Sequence, residues 1–543
     1  MASERRNIAR AAGVVSALTL VSRVTGLIRD AVVGYFFGAG LAAEAFFVAF
    51  RFPNLFRRLV AEGAISVAFV PVFADLLANR STGEARRALR AVLWLALVVL
   101  AALALAGAAL APLWVDVFAP GFTDDPQLRD LTVRLTRMLF PYVALVGTVA
   151  VLAGFLNACR HFTAPALSPA ILNLVIIACA LTLQPLLGSP IDALAYGVVA
   201  GGACQVALQV AALRRRGVSL APLWEPTNEA VRRSAVLLLP AVLGTAIFQV
   251  NVLIGTVLAS LLPTGSVSYL WYADRVFEFP LGLFVAALGT AALPSMASQA
   301  ARGEFEGMGD SLSFALSLMN LIAVPATVGL ILLAEPITAV LFERGAFGGA
   351  ETAMTARALR AYALGLWPVA AVRLLAPGFY ALGDARTPVY VALLAVLANV
   401  VAGVVLMGPV ATHSSPAWLA DLINGASVAD LDHAALALAT SIAATVNAVC
   451  LGALLGRRIR TVDRTAVFGS LLRSAVASVP MGLAVYLVTQ WWPGGGGLGY
   501  RVLELGSAIA LGISVFAVAA LLLGGREVDR ARAMVVERLS RPD

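Results

Sequence analysis

Residues 22–74 read SRVTGLIRDAVVGYFFGAGLAAEAFFVAFRFPNLFRRLVAEGAISVAFVPVFA, and their reading decides the fold class. The stretch is apolar enough to lie in a bilayer, yet Arg23, Arg29, Asp30, Glu44, Arg51, Arg57, Arg58 and Glu62 punctuate it. A helix crossing ~30 Å of hydrocarbon needs about 20 mostly apolar residues. That template places one span near 11–37 and a second near 44–77. The first is taken as a retained helix rather than a cleaved secretory signal, because Arg23, Arg29 and Asp30 interrupt its apolar run.

The same template, carried outward, finds further spans near 90–114, 131–157, 165–187, 191–213, 234–262, 266–298, 308–334, 352–381, 387–410, 431–455, 466–490 and 502–524. The expected fold is therefore an all-α polytopic membrane protein with about fourteen transmembrane helices. Composition agrees. The 543 residues are 60% hydrophobic and 13% charged, against roughly 45–50% and ~25% in soluble domains. Mean hydropathy is +0.89.

The loops orient these spans. Cytoplasmic loops carry an excess of Lys and Arg. This chain has no lysine, so its +8 net charge is carried by arginine. Arginines mark every second loop, from Arg5, Arg6 and Arg10, through Arg80, Arg86, Arg87 and Arg90, then Arg160, then Arg214, Arg215, Arg216, Arg232 and Arg233. Arg302, Arg386, the group Arg457, Arg458, Arg460 and Arg464, and the C-terminal tail continue the pattern. The loop 116–130 is acidic, and 411–430 has no arginine. Both termini are expected in the cytoplasm and the chain in a bacterial inner membrane. A nucleic-acid partner is excluded, because the arginines sit in short clusters between apolar runs.

The chain also repeats itself. FRFP at 50–53 recurs as FEFP at 277–280, and Phe140-Pro141 recurs as Trp367-Pro368. GFLNACRHFTAP at 154–165 parallels GFYALGDARTP at 378–388. The offset is 227 residues for Pro53 to Pro280 and for Pro141 to Pro368, and 224 for Phe155 to Phe379. Constant offsets in the same order predict two homologous six-helix lobes, 1–216 and 217–456. Residues 457–543 add two helices and a tail. An even number of spans makes the lobes parallel repeats, as in several transporter folds, where substrate binds near the midplane between them. That arrangement favours alternating access over a static pore.

Charges in the first, second and eighth spans break the apolar rule. An arginine at a helix centre costs about 2.5–3.5 kcal/mol on insertion scales. Arg23 lies about twelve residues into its span, or ~18 Å at the helical rise, too deep to reach either surface easily. Glu44, Arg51 and Arg58 share one face by their seven-residue spacing, and Glu62 follows Arg58 at i+4. In the eighth span, YLWYADRVFEFP at 269–280, Arg275 sits between Asp274 and Glu278. Such residues are expected to face a water-filled interior. The alternative is structural ion pairing, Asp30 with Arg29, or Asp274 and Glu278 around Arg275. Guanidinium groups in excess of nearby acids suit an anionic ligand, and a diphosphate is the chemical match, since Arg binds phosphate bidentately.

What is missing narrows the reading further. Without lysine there is no P-loop, so ATP hydrolysis by that route is excluded. His161, His413 and His433 form no catalytic or metal pattern, and Cys159, Cys179, Cys204 and Cys450 have neither disulfide nor zinc spacing. No enzyme activity, catalytic residue, cofactor or metal is expected. Energy would come from ion gradients or the membrane potential, worth ~2.3 kcal/mol per charge per 100 mV.

The run 22–74 closely resembles the opening of the MurJ/MviN family of lipid II flippases. APGF (119–122), SVSYLWYADRVFEFPLG (266–282), LFERGAF (341–347) and LLAPGFYALGDARTP (374–388) resemble it too. The resemblance implies a fourteen-helix member of the multidrug/oligosaccharidyl-lipid/polysaccharide exporter superfamily, with two final helices forming a groove for the lipid tail. It implies transport of lipid II, the undecaprenyl-diphosphate-linked muropeptide, from the cytoplasmic to the outer leaflet for peptidoglycan synthesis. By motif match it places diphosphate-binding arginines on Arg23, Arg29, Arg57 and Arg275, and acidic positions on Glu44 and Glu62. Asp30, Arg51, Arg58, Asp274 and Glu278 are the candidates for supporting or gating roles. Membrane lipids and cell-wall synthesis proteins are the expected partners. Two departures stand out: Glu44 where the family often has Asp, and no acid in the span 234–260, where some members build a sodium site. The rival readings are a multidrug or polysaccharide-lipid exporter of the same superfamily, and a non-transport membrane protein of wall synthesis.

Overall fold

The computed structural model describes residues 2–59, 68–282, 286–411, 417–459, 461–491, 496–525 and 528–529. Among them the fold is all helical, with an isolated bridge between Met407 and Asp430. The chain divides into two compact units. The first holds Met1–Ser268 with Arg344–Phe347 and Val410–Ala420, and the second holds Tyr269–Glu343, Gly348–Pro409 and Asp421–Asp543.

The first unit opens with α1 (Ala2–Phe37), α2 (Leu41–Arg57) and α3 (Val70–Asn79). Pro53 lies within α2, which passes into a π-helical turn at Arg58 and Leu59. α4 (Thr82–Ala109) is capped by the Ser81 hydroxyl, which accepts from the Glu84 N–H at 3.1 Å, and runs into the short α5 (Ala111–Phe118). α6 (Pro126–Leu139) and α7 (Pro141–Ala158) meet at Phe140, because Pro141 has no N–H to continue the ladder. α8 (Thr163–Thr182), α9 (Asp192–Arg214) and α10 (Glu229–Ser260) complete the unit's long helices.

The second unit repeats this order. α11 (Ser266–Pro280) starts in the first unit and, like α2, carries its proline into a π-helical turn, here at 281–282. α12 (Ala286–Ala301) follows, then the long and short pair α13 (Phe305–Leu332) and α14 (Ala334–Phe342). α15 (Gly349–Ala363) and α16 (Leu366–Ala381) meet at a 43° bend beside Trp367-Pro368. α17 (Arg386–Leu406), α18 (Ala417–Ala426), α19 (His433–Arg458), α20 (Arg464–Trp491) and α21 (Leu498–Leu523) end the chain's described helices.

Packing inside each unit follows the same plan. α7 touches α3, α4 and α9, and α16 touches α12, α13 and α19. α8 packs along α9, as α17 does along α19. The repeated loops are even latched alike. His161 Nδ1 lies 3.0 Å from Arg216 Nη2, and Asp384 Oδ2 lies 2.7 Å from Arg458 Nη1. Burial, and then the Arg216 charge, hold the His161 imidazole below its ordinary pKa, so the neutral ring accepts from the guanidinium. Asp384 caps α17 through the Thr387 hydroxyl and N–H and the Arg386 N–H, and those bonds hold its carboxyl down at about 2.

Fourteen spans are not established by length and apolarity. Among the described residues nine helices pass that test, or ten if α15 and α16 form one span. Of the other expected spans, those near 11–37, 44–77 and 266–298 carry charges, whereas the uncharged one near 234–262 lies in the single long helix α10. The loop expected at 411–430 contains α18, whose Ala420 and Ile423 are buried while Trp418 and Leu422 are exposed.

The last helices are apolar outside and polar inside. On α20, Phe468, Leu472, Val476, Val479 and Leu483 are exposed, while Ser470, Ser474 and Ser478 are buried. Ser470 donates to Ser317 O at 3.0 Å, and Asn320 donates to Val467 O at 3.0 Å while accepting from Trp367 Nε1 at 2.7 Å. Small polar side chains let helices approach closely in lipid and tie them together, as here α13 and α20.

Candidate functional site: arginines within the membrane helices

α1 carries Arg23, Arg29 and Asp30. Arg29 is 13% exposed. Its Nε and Nη2 donate to Asp30 Oδ1 at 3.0 and 2.7 Å, and its Nη1 donates to Asn173 Oδ1 on α8 at 3.0 Å. Asn173 in turn donates to Ser22 O at 3.1 Å, so one amide braces α1 on both sides of Gly26. A side chain at Gly26 would meet that amide at 3.3 Å, which is why α1 and α8 lie so close. The Arg29–Asp30 pair is the structural alternative considered for these two residues. It is incomplete, however. Asp30 is 1% exposed, and its Oδ2 has no hydrogen-bond partner among the described residues. Arg23 is half-buried on the same helix, seven residues before Asp30 and hence on nearly the same face.

Glu44, Arg51, Arg57 and Arg58 belong to α2 and its terminal turn. Arg51, Arg57 and Arg58 are half-buried, and Arg57 Nε donates to Asn54 Oδ1 at 2.9 Å. Tyr142, at the start of α7, is fully buried within the electrostatic reach of both Arg57 and Arg29. Its hydroxyl has no hydrogen-bond partner among the described residues. Arg29 and Arg57 are therefore drawn to one region of the first unit, from separate helices.

Glu44 does something else. It is 2% exposed, and its Oε1 accepts from the Val267 N–H at 2.9 Å. Its carboxyl also receives backbone hydrogen bonds from Gly265 and Ser268. These are the first N–H groups of α11, which have no partner within that helix. Glu44 is thus the N-terminal cap of α11, supplied by another helix. Glu62 lies outside the described residues, as does His413.

In the second unit Arg275 is set by its own helix. Its Nη2 is 3.6 Å from Asp274 Oδ2, its Nη1 is 3.4 Å from Glu278 Oε2, and its guanidinium stands 4.8 Å from the Trp271 ring centre. Two acids around one arginine are the structural alternative for this trio. Both contacts are longer than a tight charge-assisted bond of about 2.7–2.9 Å.

Sequence reading did not single out Tyr142 or Asn173, which are neutral. A signal for Tyr142 existed: it follows the repeated Phe140-Pro141, whereas Val369 follows Trp367-Pro368. Asn173 carried none beyond being a lone amide in an apolar span. Among the described residues no cluster of His, Cys, Asp and Glu could hold a metal ion.

The model of the family described as lipid II flippase MurJ matches residues 33–505. The chain belongs to this family. It is 37% identical over 466 residues to a lipid II flippase MurJ of Burkholderia cenocepacia, covering 84% of this chain and 85% of that one. It is 32% identical over 532 residues to a probable lipid II flippase MurJ of Vibrio cholerae, covering 95% and 96%. Among solved structures, a lipid II flippase MurJ in an inward closed conformation superposes with a TM-score of 0.75 at 24% identity, covering 94% and 98%. An inward-facing multidrug MATE transporter of the MOP superfamily gives 0.66 at 13%, covering 83% and 96%. These two likenesses speak for the fold. This MurJ-family chain is a multi-pass membrane protein of the MOP architecture, and its half-buried arginines lie in the helices where the sequence resemblance to the family is most specific.

Proposed function

We infer that this protein is a transporter, not an enzyme, and that it carries lipid II across the membrane by alternating access. The observation that carries the reading is family membership over residues 33–505. The charge pattern agrees with it. Arg23, Arg29 and Arg57 bring three guanidinium groups into α1 and α2 of the first unit. A planar, always ionised guanidinium suits a diphosphate and repels a cationic drug. Arg23, Arg29, Arg57 and Arg275 are the proposed diphosphate-binding residues, with Asp30, Arg51, Arg58, Asp274, Glu278, Glu44 and Glu62 in supporting or gating roles.

The finer reading follows from the arginine alternation and the internal repeat. The chain sits in a bacterial inner membrane with both termini in the cytoplasm, moves its substrate outward, and works through lobes 1–216 and 217–456 with 457–543 appended. Cell-wall synthesis proteins are its proposed protein partners.

The test follows labelled lipid II between the leaflets of vesicles holding the purified chain. Wild type is expected to move it without product chemistry, and Arg23→Ala and Arg275→Ala to abolish movement while still inserting in the membrane. Full transport by both variants would remove the arginines from the mechanism. No transport by wild type, with movement of a cationic drug instead, would favour the multidrug reading.

A further inference from the structure

The strand of chain that leaves α9 for α10 does not hang free. Residues 218–228 lie along the N-terminal half of α4 and are fastened to it at three levels. Trp94 Nε1 donates to Leu220 O at 3.1 Å, and Arg90 donates to Ala221 O at 2.8 Å and to Pro222 O at 3.2 Å. Arg87 Nε grips both oxygens of Glu225, at 2.9 and 3.1 Å. The side-chain bonds from Arg87 and Asn228 hold the Glu225 carboxyl below its ordinary pKa, so it stays ionised and committed to that contact.

Between this strap and α4 lies a cavity of about 320 Å³, lined among others by Arg86, Arg87, Arg90, Gly217, Ser219 and Glu225. Its four charged side chains are three arginines and one acid, Glu225, which pairs with Arg87 and also feels the charge of Arg90. Among the described residues Arg86 makes one long hydrogen bond, 3.4 Å to Arg216 O, and the hydrogen bonds of Arg90 go to the Ala221 and Pro222 carbonyls. The cavity therefore keeps a net positive charge with guanidinium N–H groups to offer.

Its depth identifies the ligand. Tryptophan prefers the membrane–water interface. Arg90 and Arg86 precede Trp94 by four and eight residues, about 6 and 12 Å along the helix. With Trp94 placed at that interface, both guanidinium groups would stand at the level of lipid phosphates. Trp224, 61% exposed on the strap, supplies a second interfacial ring. Farther along α4, Val98, Val99 and Leu103 are exposed, an apolar wall for acyl chains. Basic pockets at this level bind anionic head groups.

We propose that the cavity between α4 and the 218–228 strap is a binding site for an anionic phospholipid of the adjoining leaflet, its phosphate held by Arg86 and Arg90. The site lies wholly within the first unit and does not depend on the transport reading.

The experiment titrates the intact purified chain with phosphatidylglycerol or phosphatidylcholine of matched acyl chains and counts bound lipid by native mass spectrometry. Each surface arginine lost is expected to cost about 5-fold in preference for the anionic lipid. Arg86→Gln and, separately, Arg90→Gln should each show that drop with phosphatidylcholine binding unchanged, so a folding defect in one leaves the other informative. Arg302→Gln, on an exposed turn of the second unit paired with Glu304, should behave as wild type. The proposal is overturned if both cavity variants keep the wild-type preference, or if Arg302→Gln loses as much. It is also overturned if inorganic phosphate displaces the lipid at equal concentration, since the site would then hold free anions.

Discussion

Replacing Glu44 by alanine removes the acceptor for the N–H groups of Gly265, Val267 and Ser268 at the start of α11. Losing a helix cap costs about 0.5–2 kcal/mol, and a buried donor left without a partner costs about 1–3 kcal/mol. Glu44 is 2% exposed, so water is poorly placed to substitute, and the loss falls near the overlap of these ranges, about 2 kcal/mol. That is roughly a 30-fold shift in the local opening equilibrium. Hydrogen–deuterium exchange on the purified full chain reads it directly. Amides 265–268 should exchange on the order of 30-fold faster in Glu44→Ala. Glu44→Gln keeps one carbonyl oxygen and should fall between. The amides of α19, in the other unit, serve as the control and should not change. Unaltered exchange at 265–268 in Glu44→Ala would show that the cap is not what holds this helix end.

Three further outcomes follow from the geometry. Asn320→Ala orphans Trp367 Nε1 and removes the added bond to Val467 O, a helix carbonyl, which should lower stability by about 1–3 kcal/mol, visible as a drop in the thermal midpoint of purified protein; an unchanged midpoint would mean that water or a neighbour replaces the amide. Gly38 has φ +59° and an added Cβ would stand 2.5 Å from Ala346 O, so Gly38→Ala should loosen the Ala346 N–H bond to Tyr35 O and speed exchange at that amide. Asp384 is held at about 2 against an ordinary 3.8, so its contribution is complete above pH 3.8 and lost as pH falls through about 2. The stability gap between wild type and Asp384→Asn, read by thermal unfolding, should be constant at higher pH and close on acidification across that window.

Much of the architecture was legible before any coordinates. The repeat announced by FRFP and FEFP corresponds to α2 and α11, each ending in a π-helical turn after its proline. The Phe-Pro and Trp-Pro pairs mark the breaks α6–α7 and α15–α16. The number of spans was less legible, because charges interrupt the apolar runs near 11–37, 44–77 and 266–298. At the site, residue type gave the arginines but not their company. Asp30 and Arg29 are chain neighbours, so their pairing was foreseeable; Asn173, 144 residues from Arg29, was not. The sequence placed Glu44 on one helix face with Arg51 and Arg58; that its acceptor oxygen serves Val267, 223 residues away, was not visible there.

The sequence alone determined that this chain lives in a membrane, that FRFP recurs as FEFP and Phe140-Pro141 as Trp367-Pro368 at one offset, that arginine clusters recur between apolar runs, and that arginines interrupt its apolar helices. Each of these is a sum over single residues or a spacing along one helix, and transfer free energy and helical pitch act locally. Only the tertiary structure decided which carboxylate answers Arg29, which helix end Glu44 caps, and which buried oxygens of Asp30 and Tyr142 have no hydrogen-bond partner among the described residues. Those outcomes depend on hydrogen bonds of about 3 Å reach between groups far apart in the chain, and no local pattern encodes a distance that packing alone creates.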